Sequence, residues 1–325
     1  MNTENKSQAA TARAGELATK VLEVLEQHVL GQRAACEVLL ATYLAGGHAL
    51  LEGVPGIGKT LLARVFSATL GLDLQRIQFT PDLMPTDVTG TNVFDPSTHS
   101  FKLLRGPIFT TILMADEINR TPPKTQSALL EGMQEGHATI DGERQALPEG
   151  FFVIATQNPV EFEGTYPLPE AQLDRFLTRI EMGLPPFEQE LELYRRAVQG
   201  ELGFGHEALP GKVLEREEAL FLRGASRHVF VSEDLLQYLG RLATGLRSSS
   251  QLELGVSPRG ALALLETARA LAIVEGRDYV LPDDFKRALL PCWQHRLILS
   301  AEAELEGFTA ARLLTDLAAG VEVPK

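Results

Sequence analysis

Apolar residues recur at helical spacing at Leu17, Val21, Val24 and Leu25, and this predicts a helix over 17–30 that ends in a turn at Gly31. A second helical pattern runs through Leu44. From there to about Leu184 the rhythm changes. Short strand-like runs at 49–53, 76–79, 111–116, 151–156 and 177–182 alternate with helices or insertions, five runs in all. Such alternation predicts a parallel sheet with helices on both faces. The third and fourth runs are almost wholly apolar, as strands buried on both faces are. Two stretches break the pattern. Residues 87–109 contain Gly90, the turn Asp95-Pro-Ser-Thr-His-Ser100 and Gly106-Pro107, which predict an inserted hairpin or helix–hairpin. Residues 136–150, with Ala138-Thr-Ile140 and the turn Asp141-Gly142, predict a second hairpin. Either could be surface decoration, but both flank one strand, which suggests a working surface.

Gly183-Leu-Pro-Pro-Phe187 closes the sheet, and a short helix follows to about Val198. Residues 200–211, with their glycines and Pro210, read as a connection. Beyond Val213 the patterns are helical, at 215–227, 232–246, 257–275 and 282–290. Start signals such as Ser232-Glu-Asp234 and Pro282-Asp-Asp284 support them. The expected organisation is an α/β domain over 1–200 and a helical domain over 201–325.

Composition adds little to this and contradicts none of it. At 325 residues, with 44% hydrophobic and 22% charged residues, the chain is an ordinary globular one with room for two domains. Its formal net charge of −13 argues against a general binder of nucleic acid or anionic membranes. The two cysteines, Cys36 and Cys292, stand far apart and outside any metal-ligand spacing, so both are expected to be buried small hydrophobes. No apolar signal core opens the chain and no run is long enough to span a bilayer, so a cytoplasmic location without membrane insertion is expected. The opening residues, and the closing Val321-Glu-Val-Pro-Lys325, are expected to fray.

The chemistry is concentrated at the ends of the predicted strands. Gly53-Val-Pro55-Gly56-Ile57-Gly58-Lys59-Thr60 matches the phosphate-binding pattern G-x-x-x-x-G-K-[ST] at every defined position, between a strand and the helix that begins near Leu61. Its glycines let successive N–H groups converge on a phosphate. Lys59 can reach the β- and γ-phosphates, Thr60 can offer a hydroxyl to Mg²⁺, and the helix N-terminus adds its dipole. Ile112-Leu-Met-Ala-Asp116-Glu117 ends a later strand in two acids. Asp116 can serve the metal and Glu117 can polarise water, because consecutive strand residues point apart. Acids are common where strands meet loops. This pair gains weight from the P-loop upstream and the one strand between, an order that marks the catalytic-glutamate class of P-loop ATPases. Asn158, after the next strand, can sense a γ-phosphate; an Asn-Pro turn is the plain alternative. Arg175 in Leu168-Pro-Glu-Ala-Gln-Leu-Asp174-Arg175-Phe176 lies far from its own P-loop, which suits a finger in a neighbour's site better than a surface pair with Asp174. Arg259 in Ser257-Pro258-Arg259 opens a helix, where a cation opposes the dipole unless a polyphosphate lies near, and surface exposure is the alternative. Val29 and Leu30, beside Gly31-Gln32, can pack on an adenine ring, although an ordinary interhelical turn would look the same.

With these pieces in order, the chain resembles the MoxR family of AAA+ ATPases. The carrying residues include Gly53 to Thr60, Asp82-Leu-Met-Pro-Thr-Asp87-Val-Thr-Gly90 and Gly106-Pro-Ile-Phe109. Ala115-Asp-Glu-Ile-Asn-Arg120, Ala155-Thr-Gln-Asn-Pro159, Gly164-Thr-Tyr-Pro-Leu-Pro-Glu-Ala-Gln-Leu-Asp-Arg-Phe176 and Gly255-Val-Ser-Pro-Arg259 complete them. The resemblance implies a five-stranded parallel AAA+ sheet domain with a C-terminal all-α lid. It makes 87–109 the helix-2 insert and 136–150 the hairpin before the first sensor. It implies Mg²⁺-dependent ATP hydrolysis by a hexameric ring, with chaperone-like remodelling or activation of protein partners, often with von Willebrand factor A domains. Arg259 remains open between its own nucleotide and a neighbour's. Two rival functions stand beside this one: an adaptor gated by nucleotide with slow turnover, and a nucleic-acid translocase, which the acidic balance opposes.

Overall fold

The computed structural model describes residues 3–158, 165–200 and 209–324. Most of the expected connection at 200–211, together with Pro159 and Gly164, lies outside the described residues. Helices α1 (Thr3–His28) and α2 (Arg33–Leu44) open the chain. Met1 and Asn2 lie outside the described residues; from Thr3 the chain is already helical rather than frayed, and the Ser7 hydroxyl donates to the His228 carbonyl at 3.0 Å, so a distant segment holds this part of α1.

There follow β1 (Ala49–Glu52), α3 (Lys59–Thr69), β2 (Leu74–Gln78), α4 (Pro85–Thr89), and the hairpin β3 (Gly90–Asp95) with β4 (Ser100–Arg105). Next come β5 (Ile112–Asp116), α5 (Pro123–Glu135), the hairpin β6 (His137–Ile140) with β7 (Glu143–Ala146), and β8 (Phe152–Gln157). The short α6 (Glu170–Leu173), β9 (Thr178–Glu181) and α7 (Phe187–Val198) end this half. Both inserted stretches are thus hairpins, the first led by a one-turn helix, as their turn residues predict.

Five strands form one parallel sheet in the order β2-β5-β8-β1-β9, and β1 is central to the site because it feeds the P-loop. Ala49 of β1 stands opposite Ile154 on one side and Thr178 on the other. The two-residue period of the inner strands sorts side chains onto two faces. Leu51, Ile112, Met114, Phe152 and Ile154 join a core beneath α1, α2 and α3. Leu50, Leu113, Ala115, Val153 and Ala155 join a second core with Ile108, Leu129 and Phe176.

The C-terminal half comprises α8 (Arg216–Leu222), α9 (Glu233–Arg247), β10 (Leu252–Leu254), α10 (Pro258–Val274), α11 (Pro282–Trp293), β11 (Ile298–Leu299), α12 (Ala301–Leu305) and α13 (Ala310–Gly320). It is helical, with one small addition: β10 and β11 pair as an antiparallel ribbon. The helix expected over 215–227 stops at Leu222, because Arg223 is extended and Gly224 takes φ 86°; a 3₁₀ turn at Ala225–His228 follows. The first core continues without a break from the sheet through α1 and α2 to Leu264, Phe285 and Trp293. Arg223 helps fasten the junction. Its guanidinium stacks on Tyr43 and Phe152 and donates to the Phe151 carbonyl at 2.8 Å, and burial lowers its pKa to about 10. Both cysteines are buried, and burial raises Cys36 to about 12 and Cys292 to about 11.

Candidate active site

The carboxyl ends of β1, β5 and β8 converge on one edge of the sheet, where loops face a common space. Residues 53–58 leave β1 and enter α3 through Gly56 at φ 81° and Gly58 at φ 99°, left-handed values that a side chain resists. A Cβ at either glycine would meet nothing within 4 Å, so the demand there is for backbone conformation, and the space beside the loop stays open. Lys59 Nζ donates to the Gly53 carbonyl and, at 3.3 Å, to that of Val54, which holds the ammonium inside the curve of its own loop. Thr60 follows on the first turn of α3, and Ile57 and Leu61 pack against the core. Behind the loop, Glu52 pairs with Arg179 at 2.6 Å, and burial still raises its carboxyl above the usual range.

Asp116 ends β5. One of its oxygens accepts from the Thr156 hydroxyl, and the other accepts from Arg76 at 2.6 Å. Glu117 diverges from Asp116 by a route the strand pleat does not provide: β5 has ended, and Glu117 takes φ 55°. Its N–H donates to Thr156 Oγ1 at 2.9 Å, and its carboxylate receives Gln78 at 2.7 Å and Arg120 at 3.1 Å. Asn158 is buried just past the end of β8. The P-loop, two acids and an asparagine therefore share the carboxyl edge. Thr156, Arg76 and Gln78 hold the acids, and no sequence motif named them.

The two arginines are elsewhere. Arg175 precedes β9, whose first residue is level with the start of β1, at the amino edge of the sheet. Its guanidinium donates to the Leu130 carbonyl at 2.8 Å. Arg259, 53% exposed on the first turn of α10, faces Asp174 at 3.8 Å, which supplies the negative charge that its place at the helix start calls for. Arg175 and Arg259 line one cavity of about 300 Å³ with Gly46, Gly47, Asp174 and Arg296. Asp174, weighed in the sequence only as a surface partner of Arg175, is instead bonded by Arg296, which no motif named because the two meet across 122 positions.

Of the two residues expected at a base, Val29 is 3% exposed and belongs to the core, while Leu30 is half-buried beside it. The side chain of Gln32 donates to the Gly183 carbonyl at 2.7 Å, tying this turn to the chain beyond β9.

A P-loop entering a helix, with acids on a strand two places along the sheet and a helical C-terminal half, defines an AAA-type ATPase. The comparisons agree. Residues 48–178 match the model of the ATPase family associated with various cellular activities, and 244–317 match an AAA lid domain. The chain is 44% identical to the YeaC protein of Bacillus subtilis, with 94% of each chain covered. It is 40% identical to chaperone MoxR1 of Mycobacterium tuberculosis over 91% of this chain and 79% of that one. A crystal structure of a protein from Cytophaga hutchinsonii superposes with a TM-score of 0.87 at 38% identity, covering 99% of both chains. The chain belongs to the MoxR family of AAA+ ATPases, and its activity is ATP hydrolysis.

Proposed function

We propose that this ATPase works with Mg²⁺ at sites shared between subunits of a hexameric ring, and uses the cycle to remodel or activate protein partners. One observation carries the shared-site reading. Lys59, Thr60, Asp116, Glu117 and Asn158 lie at the carboxyl edge of the sheet, whereas Arg175 and Arg259 line one cavity at its amino edge. The four residues of β1, at about 3.3 Å each, stand between them. One chain thus carries two complementary halves that it cannot bring together itself, and Arg259 joins Arg175 as a contribution in trans.

The residues suit the substrate and its ion. The open left-handed loop and Lys59 suit phosphates, Thr60 and Asp116 offer hard oxygens, and Leu30, backed by Val29, suits the base. Among the described residues no group of three or more His, Cys, Asp or Glu could hold a metal by itself. That agrees with an ion held largely by phosphates and water. When bound, the ion supplies charge neutralisation on the transferred phosphoryl group. Glu117 orients the attacking water and takes its proton, Asn158 contacts that water's side of the site, and Arg175 of the adjoining subunit meets the charge that develops in transfer. We read 1–200 as the nucleotide domain and 201–325 as the lid, with a core shared through α1 and α2.

A protein client is favoured by the chaperone name of a relative and by the insert hairpin, where Phe94 and Phe101 are exposed on one face and Val93 and Leu104 on the other. A von Willebrand factor A domain is the partner class that the family suggests. The test of the shared site is Arg175→Ala. Turnover should fall by at least about 10³-fold, the scale of an arginine finger, while affinity for a fluorescent ATP analogue is kept. Wild-type turnover by that variant, or by strictly monomeric protein, would exclude a finger in trans.

A further inference from the structure

Arg296 ends the 3₁₀ turn after α11 and is buried. A guanidinium has five N–H donors, and here all five are used. Nε donates to Asp174 Oδ1 at 2.6 Å. Nη2 donates to the carbonyls of Phe176 at 2.7 Å and Asp174 at 3.3 Å. Nη1 donates to the carbonyl of Leu177 at 3.2 Å and to that of Cys292. Four of the five bonds therefore land on residues 174–177, the loop that carries Arg175. His295 adds a bond to the Phe176 carbonyl at 3.2 Å, which fixes its proton on Nε2, and burial keeps the ring neutral.

The same side chain supports Arg259. A Cβ on Gly260, the next residue, would lie 3.0 Å from Arg296 Cδ and 2.5 Å from Val256 Cγ2, so only glycine lets α10 start this close. Trp293 Nε1 donates to the Gly260 carbonyl at 2.8 Å from the same turn. Asp174 stands between the two arginines of the lid, with Oδ1 on Arg296 and Oδ2 facing Arg259 at 3.8 Å.

We propose that Arg296, acting through Asp174, is a positioning residue for hydrolysis at the neighbouring subunit's P-loop. It joins the loop of Arg175 and the helix start of Arg259 into one rigid face. It also shares the Asp174 carboxylate with Arg259, taking Oδ1 at 2.6 Å while Arg259 stands farther off at 3.8 Å from Oδ2. A movement of one subunit's lid is thereby delivered to the next subunit's nucleotide. The proposal rests on the shared-site reading of Arg175.

The test is complementation in mixed assemblies. Arg296→Lys keeps the charge and loses the fork, and Asp174→Asn removes the carboxylate from a less buried position in case the first variant folds poorly. Each alone should lose roughly tenfold or more in kcat, the scale of a misplaced reacting group, with binding of a fluorescent ATP analogue unchanged. Each is then mixed with Glu117→Gln subunits, which cannot hydrolyse but present an intact arginine face. Turnover should return, because the variant's own P-loop is sound. Arg175→Ala mixed with Glu117→Gln is the reference. If the reference is rescued and both variants stay inactive, Arg296 serves only its own subunit and the proposal fails. Wild-type kcat in both variants overturns it as well. If the reference itself is not rescued, the shared-site reading falls, and the proposal falls with it.

Discussion

At Glu117 the backbone enters the left-handed region at φ 55°, a conformation that costs a non-glycine residue on the order of 1–3 kcal/mol. Thr156 helps hold it there, taking the Glu117 N–H on the same hydroxyl that donates to Asp116. One side chain on β8 thus fixes the directions of Asp116, at the end of β5, and Glu117, just past it. We expect Thr156→Val, nearly equal in size, to destabilise the protein by about 1–3 kcal/mol through the unsatisfied partners it leaves. ATP affinity should persist while kcat falls, because Glu117 loses its aim. Thermal melts beside steady-state kinetics check this; an unchanged kcat would separate Thr156 from the chemistry. The sequence made Asp116 and Glu117 legible because they end an apolar run behind a P-loop. It did not make the turn at Glu117 legible, since glutamate carries no preference for positive φ. Thr156 was hidden inside a run that reads simply as a buried strand. Arg296 was hidden by distance, as its partners are residues 174–177.

Among the elements, β1, β5 and β8 were legible because burial on both faces makes them continuous apolar runs. β2, at the sheet edge, alternates weakly as Leu-Gln-Arg-Ile-Gln, and its first two residues escaped notice. β10 and β11, of three and two residues, are too short to show a period. The expected helix over 215–227 failed at Gly224, a residue whose punctuating role the apolar pattern masked. The insert hairpin was legible from its turns, but its exposed ring pair, Phe94 and Phe101 at 5.5 Å, emerges only from cross-strand register. Phe101 is 72% exposed, so Phe101→Ser should shift stability by no more than about 0.5 kcal/mol. If the hairpin engages a client, the same change should abolish client-stimulated turnover and leave basal turnover intact. Full stimulation by that variant would move the contact elsewhere.

Across the whole molecule, one core links the sheet to the C-terminal helices, and Trp293, the single tryptophan, lies within it. Acid should therefore unfold both halves in one transition. Two buried histidines contribute to its position. His48 accepts from the Val153 N–H at 3.0 Å and donates to the Met133 carbonyl at 3.1 Å, and burial lowers its pKa from 6.5 to about 3. His295 is shifted the same way. At these two sites the unfolded chain binds more protons than the native one below about pH 6.5, so the stability they contribute is full above that pH and declines as pH falls toward 3. His48→Gln should flatten part of this slope. Trp293 fluorescence and far-ultraviolet circular dichroism, followed against pH, should give coincident curves in both proteins; separate curves would mean that the halves unfold independently.

The two edges of the sheet also give the molecule a polarity. On the proposed shared-site reading, with phosphate groups held at one edge and arginines offered from the other, a head-to-tail repeat sets each P-loop against a neighbour's arginines. In the ring proposed above, association runs head to tail. In any open string of subunits, one terminal P-loop lacks arginines and one terminal arginine face lacks a nucleotide. Only closure of the string removes both idle ends, so the specific activity of the preparation becomes a measure of how many of its assemblies have closed.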